Sequence, residues 1–261
     1  MMSIQEVIAA IEEYAPLCYQ EEWDNSGLQV GDVNAQVTGV LLCTDVTEVV
    51  VAEAIARGFN LVVSHHPLIF HGLKKLVGRS VTERVVATAI KHDIAIYSAH
   101  TSMDNAPGGV SWHMARKLGM TQVQVLDAHP AAGLDVGCGV VGDIPKQPVT
   151  EFVERCKTVF EAGAVRFSGD TSRMVGRVAL CGGAGAFLAD QAIAAGADVF
   201  VSGDMKYHDF LEKNDRIIMV DVGHYESEHY TKEIFYDIIQ KKNPNFAVAF
   251  AKDEKNQIKY L

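Results

Sequence analysis

The sequence lacks any apolar run of the roughly 18–20 residues that a membrane-crossing helix requires. Its first residues, MMSIQEVIAAIEEYAP, also lack the basic start and the apolar stretch of a secretory signal. They predict instead a helix capped by Ser3, with Glu6 three residues later to complete a capping box. From these absences we expect a cytoplasmic protein.

Closely spaced cysteines are missing as well. The five cysteines lie far apart and form no C-x-x-C motif, so neither a disulfide framework nor a thiolate zinc site is predicted. Positive charge is scarce: the net charge of −10 repels phosphate backbones, and no basic stripe offsets it. Nucleic acid is therefore disfavoured as a partner. The 261 residues, 48% of them apolar, suffice for one large domain or two of ordinary size.

An internal repeat organises the chain. Gly39–His66 and Arg177–Asp204 align without a gap at an offset of 138 residues, and nine of the 28 aligned positions are identical. Each copy predicts an apolar strand, a turn, a helix that ends at a glycine (Gly58 or Gly196), and a second apolar strand. The repeat therefore predicts a βαβ unit, present twice.

A third strand follows each predicted unit. The segments Ile94–His100 and Ile217–His224 both finish in a histidine, and an acid stands four residues later in each case. The offset here falls to 124 residues, which pairs His100 with His224. We therefore predict an α/β protein of two related halves, each with a mixed sheet flanked by helices.

The repeat also sets the predicted boundaries. The ranges are a first half at 1–126 with His65, His66 and Asp104, a connecting β/α segment at 127–172, and a second half at 173–261 with His224 and Glu228. The apolar segment Phe246–Ala251 is expected to form a strand at the edge of the second half.

Polar side chains collect at the predicted strand ends, where open α/β sheets bind ligands. His65 and His66 follow a buried strand and precede Pro67, so both imidazoles reach one site only if the chain turns there. The alternative is one surface histidine and one packed histidine. If a helix begins at Tyr225, His224 and Glu228 share one of its faces, for which a solvated helix face is the alternative.

These residue types predict a metal site. Imidazoles and carboxylates without a thiolate suit zinc, manganese, iron or nickel. Five ligands exceed what one open catalytic ion uses, and they fit two ions that share a bridging carboxylate. We therefore predict two divalent metal ions bound by His65, His66, Asp104, His224 and Glu228. Two such ions are typical of metal-dependent hydrolases.

Several motifs resemble the Nif-three-like family, also known as type-two homologues of GTP cyclohydrolase and as dinuclear metal centre hexameric proteins. The matching segments are WDNSGLQVGD (Trp23–Asp32), VVSHHPLIFHGLKKL (Val62–Leu76), AHTSMDNAPGGV (Ala99–Val110), RVALCGGAGAF (Arg177–Phe187), DVFVSGDMKYHD (Asp198–Asp209) and DVGHYESE (Asp221–Glu228). The resemblance implies that His65 and Asp104 bind one ion, that His66 and His224 bind the other, and that Glu228 bridges both. It also implies the short bacterial form and a homohexamer, a trimer of dimers around a hollow toroid.

Other residues are candidates for catalysis or substrate binding. His100 is predicted to orient Asp104 or to transfer a proton, with a packed structural histidine as the alternative. His208 is a candidate proton donor or substrate contact. The Trp23–Asn25 segment is expected to line the pocket, and Lys74 to meet an anionic substrate or simply to be solvated.

Three functions compete at this stage. The first is a metal-dependent hydrolase of a nucleotide-like or other small molecule. The second is a non-catalytic metal-binding regulator or interaction scaffold that uses the same ligands. The third is nucleic-acid binding within a toroid, which the acidic charge balance disfavours. A fold and a site do not by themselves fix a substrate.

Overall fold

The structure is a computed structural model that describes residues 2–129 and 135–261. Within these ranges the strands are β1 (Gly27–Val30), β2 (Val40–Cys43), β3 (Leu61–Ser64), β4 (Ala95–Ser98), β5 (Thr121–Ala128), β6 (Gly137–Pro148), β7 (Arg166–Phe167), β8 (Met174–Leu180), β9 (Val199–Ser202), β10 (Ile218–Asp221) and β11 (Val248–Phe250). The helices are α1 (Ile4–Tyr14), α2 (Glu48–Arg57), α3 (Val81–Lys91), α4 (Thr101–Asn105), α5 (Val110–Lys117), α6 (Val149–Val159), α7 (Ala189–Ala194), α8 (Tyr207–Lys213), α9 (His224–Glu228) and α10 (Thr231–Lys242). Among these described helices, none is long and apolar enough to cross a membrane.

The chain divides into two compact units, each made of two pieces of sequence. The first unit comprises Met1–Met103 with Thr231–Lys255, and the second comprises Asp104–Tyr230 with Asn256–Leu261. This division differs from the predicted ranges 1–126, 127–172 and 173–261. The connecting segment belongs to the second unit because β6 and β7 are strands of its sheet.

The first unit contains a five-stranded mixed sheet in the order β1-β4-β3-β2-β11. Strands β2, β3, β4 and β11 run parallel, and β1 pairs antiparallel with β4. Helix α2 connects β2 to β3, as the first βαβ repeat predicts. It begins where the Thr47 side chain accepts a hydrogen bond from the amide of Val50, and it ends at Gly58 in the left-handed conformation. Every residue of β2, β3 and β4 is buried, as expected for parallel strands in the interior of a sheet.

The second unit contains a six-stranded mixed sheet in the order β5-β6-β8-β9-β10-β7. Strands β8, β9 and β10 run parallel, and α7 connects β8 to β9 as the second βαβ repeat predicts. The remaining strands pair antiparallel. The predicted fold class, two α/β halves with mixed sheets flanked by helices, is therefore confirmed.

The ladder register corrects the predicted equivalence of the third strands. Leu61 pairs with Ala95 in the first sheet, and its repeat equivalent Val199 pairs with Ile218 in the second. Ala95 thus matches Ile218 at an offset of 123 residues rather than 124. The predicted pairing of His100 with His224 is wrong by one residue: His224 begins α9 as Thr101 begins α4.

The prediction for the last strand is wrong. Strand β11 does not edge the second sheet but pairs in parallel with β2, with Val248 opposite Val40. In the second sheet the corresponding edge of β8 is already covered by the long strand β6. In the first sheet that edge is open, and α10, which packs on α1, returns the chain to it.

Candidate metal centre

Three histidines of the first unit lie close together. His65 and His66 directly follow β3, and His100 follows the adjacent parallel strand β4, so all three stand at the carboxyl edge of the sheet. One ring nitrogen of each lies within 4.8 Å of the other two. The ring centroids are 4.9 to 5.5 Å apart.

The turn that brings His65 and His66 together is held by two serine hydroxyls. Ser64 Oγ and Ser98 Oγ both donate to the carbonyl oxygen of His66, at 2.9 and 3.2 Å, and the two hydroxyls are 2.8 Å apart. The backbone amides of His65 and His66 donate to the carbonyls of Cys43 and Thr44 on the neighbouring strand. The chain therefore leaves β3 in a fixed turn, which is what two adjacent imidazoles need in order to converge.

An aspartate on the next strand end orients His66. The Nδ1–H of His66 donates to Asp45 Oδ1 at 2.8 Å. The turn that carries Asp45 is anchored in its own right, because the amides of Thr44 and Asp45 donate to Glu254 Oε1 at 2.5 and 2.8 Å. The buried carboxylate of Glu254 also pairs with Lys232. A carboxylate at Nδ1 fixes the tautomer and direction of an imidazole, as it does for histidines that bind metals.

His100 has an aspartate of its own. Its Nδ1–H donates to Asp24 Oδ1 at 2.8 Å, and the other oxygen of Asp24 accepts from the amide of Thr101 at 3.0 Å and from the hydroxyl of Ser26 at 2.9 Å. Burial by itself raises the pKa of Asp24, but hydrogen bonds from His100 and Thr101 outweigh it. They hold the pKa of this carboxyl well below its usual range. The pair therefore combines an ionised carboxylate with a fixed imidazole.

The second unit presents a histidine in the same manner. His224 Nδ1–H donates to Asp204 Oδ2 at 2.9 Å, and its Nε2 lies 3.0 Å from Glu228 Oε2. His224 and Glu228 are the first and last residues of α9, so they occupy one face at a spacing of four. The predicted convergence of this imidazole and this carboxylate is therefore present, and Glu228 is only 3% exposed.

Glycines make the close contacts around His224 and Glu228 possible. A Cβ on Gly203 would lie 2.8 Å from the carbonyl carbon of Gly223, so the ends of β9 and β10 approach closely only because Gly203 lacks one. Gly223 has a φ of 98°, which strongly favours glycine. A Cβ on Gly183 would lie 2.1 Å from Glu228 Oε1. The glycine-rich turn after β8 thus makes room for the glutamate.

Asp104 and Glu228 bring two carboxylates together in the second unit. An oxygen of each lies within 4.8 Å of the other. Two partly or fully buried carboxylates at this distance repel each other unless a cation or a proton compensates. The nearby thiol of Cys181 has a raised pKa, first because of its hydrogen bond with Cys138, then because of burial and these two carboxylates. The thiol is therefore protonated at neutral pH.

His208 is a surface residue of the second unit. This residue lies on α8 with an exposed side chain, and its ring stands edge-on to Tyr207 at 5.4 Å. Its predicted catalytic role rests on the sequence alone. The sequence prediction also missed the orienting roles of Asp45 and Asp204. The available signal was an aspartate two residues after a strand in each repeat, which is common in ordinary turns.

The fold and these clusters define an α/β protein with two mixed sheets whose histidines and carboxylates stand at strand ends. The family model of DUF34/NIF3 (NGG1p interacting factor 3) matches residues 2–257. The chain therefore belongs to this family, and the predicted resemblance is confirmed.

Sequence relatives and solved structures agree with the family assignment. A Streptococcus pneumoniae protein named "GTP cyclohydrolase 1 type 2 homolog" is 32% identical over 238 residues, which cover 89% of each chain. A Lactococcus lactis protein of the same name is 34% identical over 230 residues, 86% of each chain. The crystal structure of a Staphylococcus aureus hypothetical protein matches with a TM-score of 0.92 at 28% identity, over 100% of this chain and 99% of that one.

Proposed function

We propose that the chain binds two divalent metal ions through His65, His66, Asp104, His224 and Glu228 and uses them to hydrolyse a nucleotide-like or other small molecule. The observation that supports metal binding is the hydrogen bond that two of these histidines make at Nδ1. His66 and His224 each donate Nδ1–H to an aspartate, which directs Nε2 towards a further ligand. The pairing of all five residues in one centre rests on the family resemblance.

The donor chemistry fits the proposed ions. Each unit supplies imidazole or carboxylate donors that are already oriented, and such donors suit zinc, iron, manganese or nickel. Divalent ions held by these residues would supply Lewis acidity and would lower the pKa of a bound water to near neutrality. The chain's own residues do the positioning: Asp45 directs His66, Asp204 directs His224, and Asp24 holds His100 as a candidate for proton transfer. His208 remains a second candidate for that transfer.

The hydrolase part of the proposal has its own support. It rests on the donor set and on relatives that carry the name "GTP cyclohydrolase 1 type 2 homolog". The test is turnover of a panel of nucleotides, phosphoesters and cyclic amides by protein that has been stripped with a chelator and then reloaded. We expect activity with manganese, zinc or iron and little with magnesium alone, because imidazole suits the former ions.

A matched variant separates specific from adventitious metal. His92 lies exposed at the end of α3 and outside the predicted ligand set, so His92→Ala should keep the metal content of the wild type. His66→Ala should lose metal. Metal bound at two ions per chain without turnover on any substrate would leave a metal-binding regulator or scaffold in place of the hydrolase. Equal metal content in both variants would contradict the site itself.

The homohexamer and the cytoplasmic location are also part of this proposal. The hexamer follows from the resemblance, and light scattering at micromolar concentration measures it. A stable monomer would contradict it. Metal content is measured on the same sample, so the metal-binding proposal and the hexamer proposal can each be contradicted independently of the other.

A further inference from the structure

Two aromatic side chains stand exposed beside the histidines of the first unit. Trp23 is 61% exposed and Phe70 is 39% exposed. Their ring centroids lie 6.0 Å apart, and the ring planes are inclined at 53°. Each ring also meets His100 edge-on, Trp23 at 6.0 Å and Phe70 at 6.2 Å. We call Trp23 and Phe70 the aromatic pair.

The exposure of Trp23 does not come from a loose loop. The residues on both sides of it are tied down: the amide of Glu21 donates to Thr101 Oγ1 at 2.9 Å, and the amide of Ser26 donates to Gln20 Oε1 at 2.9 Å. The next residue, Asp24, is the buried carboxylate that holds His100. The indole is therefore presented to solvent by a turn that is anchored at both ends.

Phe70 is fixed to the same turn. Asn25 Nδ2 donates to the carbonyl oxygen of Ile69 at 2.6 Å, and the amide of Ile69 donates to Gln29 Oε1 at 3.1 Å. Gln29 Nε2 in turn donates to the carbonyl oxygen of Asn25 at 2.6 Å. Two segments distant in sequence are thus joined by side-chain amides so that their aromatic rings stand together. A site that is preorganised in this way loses little freedom when a ligand binds.

The chemistry of the aromatic pair selects a flat ring. Exposed indole and phenyl faces stack on any planar aromatic ring and do not need hydrogen bonds to recognise it. The adjacent imidazoles of His65, His66 and His100 are polar and suited to a metal, so the rest of the ligand should be polar. We propose that Trp23 and Phe70 bind the heteroaromatic ring of a nucleotide, with its polar part towards the histidines. This inference rests on the proposed function, since it names the substrate class of that site.

The experiment uses the fluorescence of Trp23. The chain has two tryptophans, so the Trp112→Phe variant leaves Trp23 as the reporter. Metal-loaded and metal-stripped protein is titrated with guanosine monophosphate and with ribose 5-phosphate as the ligand without a ring. Free tryptophan, which fluoresces itself, is titrated by calorimetry. We expect guanosine monophosphate to quench the emission to saturation, and ribose 5-phosphate to need at least about tenfold higher concentration.

Variants in the otherwise wild-type chain give the second readout. Trp23→Ala should weaken nucleotide binding, measured by calorimetry, by about tenfold or more, and Trp23→Phe should retain most of it. Phe187→Ala removes an aromatic ring that is 66% exposed in the second unit, and it should leave binding unchanged. Metal content should be the same in all three variants.

Several outcomes would overturn the inference. Equal binding of guanosine monophosphate and ribose 5-phosphate would exclude ring recognition, and tighter binding of free tryptophan would exclude a nucleotide. A change of oligomeric state in Trp23→Ala, with nucleotide binding intact, would make the aromatic pair an interface between copies of the chain. Quenching that persists in metal-stripped protein supports ring binding even if the metal proposal fails, so the two failures are distinguishable.

Discussion

The two units share a sheet order but put different chemistry at equivalent strand ends. The strands run β1-β4-β3-β2 in the first and β7-β10-β9-β8 in the second, with an antiparallel edge strand and three parallel strands in both. The residue two positions after β3 is His66, and its equivalent two positions after β9 is Asp204. One is a predicted metal ligand, and the other orients a predicted ligand.

What both units keep is a relation between neighbouring strand ends. In the first, Asp45 after β2 orients His66 after β3 at 2.8 Å. In the second, Asp204 after β9 orients His224 after β10 at 2.9 Å. The same aspartate–histidine pair occurs in each sheet but is displaced by one strand. A repeated scaffold therefore fixes where functional side chains can stand, and the side chains themselves decide which of those places is used.

The strongest test of the comparison removes the proposed bridging ligand. Glu228→Gln should lose most of both ions, because one carboxylate serves two centres, whereas His65→Ala should retain more of one ion than of the other. Elemental analysis of the purified protein measures both. Full occupancy in Glu228→Gln would remove this residue from the site.

A weaker effect is expected from the two orienting aspartates. Asp45→Asn and Asp204→Asn should each lower metal affinity by about 10- to 100-fold, because both act on a ligand through its Nδ1–H. Competition with a chromophoric chelator measures this. Asp190, which pairs with Lys213 on the surface, offers the control Asp190→Asn. If only one of the two variants differs from this control, the two pairs are not functionally equivalent.

Two glycines sharpen the comparison further. Gly183 and Gly58 both have left-handed φ values, of 62° and 68°, but a Cβ on Gly183 would meet Glu228 whereas one on Gly58 would meet nothing within 4 Å. Gly58→Ala should lower the free energy of unfolding by about 1–2 kcal/mol through backbone strain alone. Gly183→Ala should cost about 1–3 kcal/mol more by overpacking, and should lower metal affinity too. Equal losses of unfolding free energy in the two variants, measured by chemical denaturation, would show that the turn after β8 shifts to accommodate the added methyl group.

The smallest expected effect concerns the Asp24–His100 pair. Because the pKa of Asp24 is depressed in the folded state, its ionised form stabilises the fold at any pH above its unfolded value of about 3.9. That stabilisation is lost as the pH falls from there towards the folded pKa. Asp24→Asn should therefore lower Tm by a few degrees at pH 7, at about 2–4 °C per kcal/mol. The difference in Tm between variant and wild type should narrow below about pH 4. A difference in Tm that stays constant as the pH is lowered would exclude an electrostatic origin of the stabilisation by Asp24.

Local features of the fold were predictable from the sequence. The capping box of Ser3 and Glu6 is present, and Gly58 ends α2 in the left-handed conformation, because both depend on residues a few positions apart. The βαβ units follow from apolar periodicity in the same way. Features that depend on distant pairing were missed. A three-residue apolar strand such as β11 fits any open edge, and only the coverage of β8 by β6 decides between the two sheets.

The candidate site likewise has features that the sequence predicted and features that depend on distant pairing. Histidines after buried strands could be found from the sequence, because strand ends are the common location of ligands in α/β sheets. The register between β3 and β4 could not, since an apolar run contains no mark of its pairing, and the equivalence of His100 with His224 failed by one residue. The roles of Asp45, Asp204 and Asp24 depend on hydrogen bonds to rings on other strands, which no local pattern reveals.

The return of β11 to the first sheet has a consequence for the order of assembly during synthesis. Ribosomes release the chain from its amino end, so β2, β3 and β4 emerge early, yet their sheet gains its last strand only when Val248–Phe250 appears. Strands β5 to β10 are complete well before that point. The anchor of the Asp45 turn, Glu254, arrives later still. The unit whose synthesis starts first is therefore the one whose sheet is finished last. A nascent chain stalled before Glu254 lacks the carboxylate that anchors the turn of Asp45, the residue that orients His66.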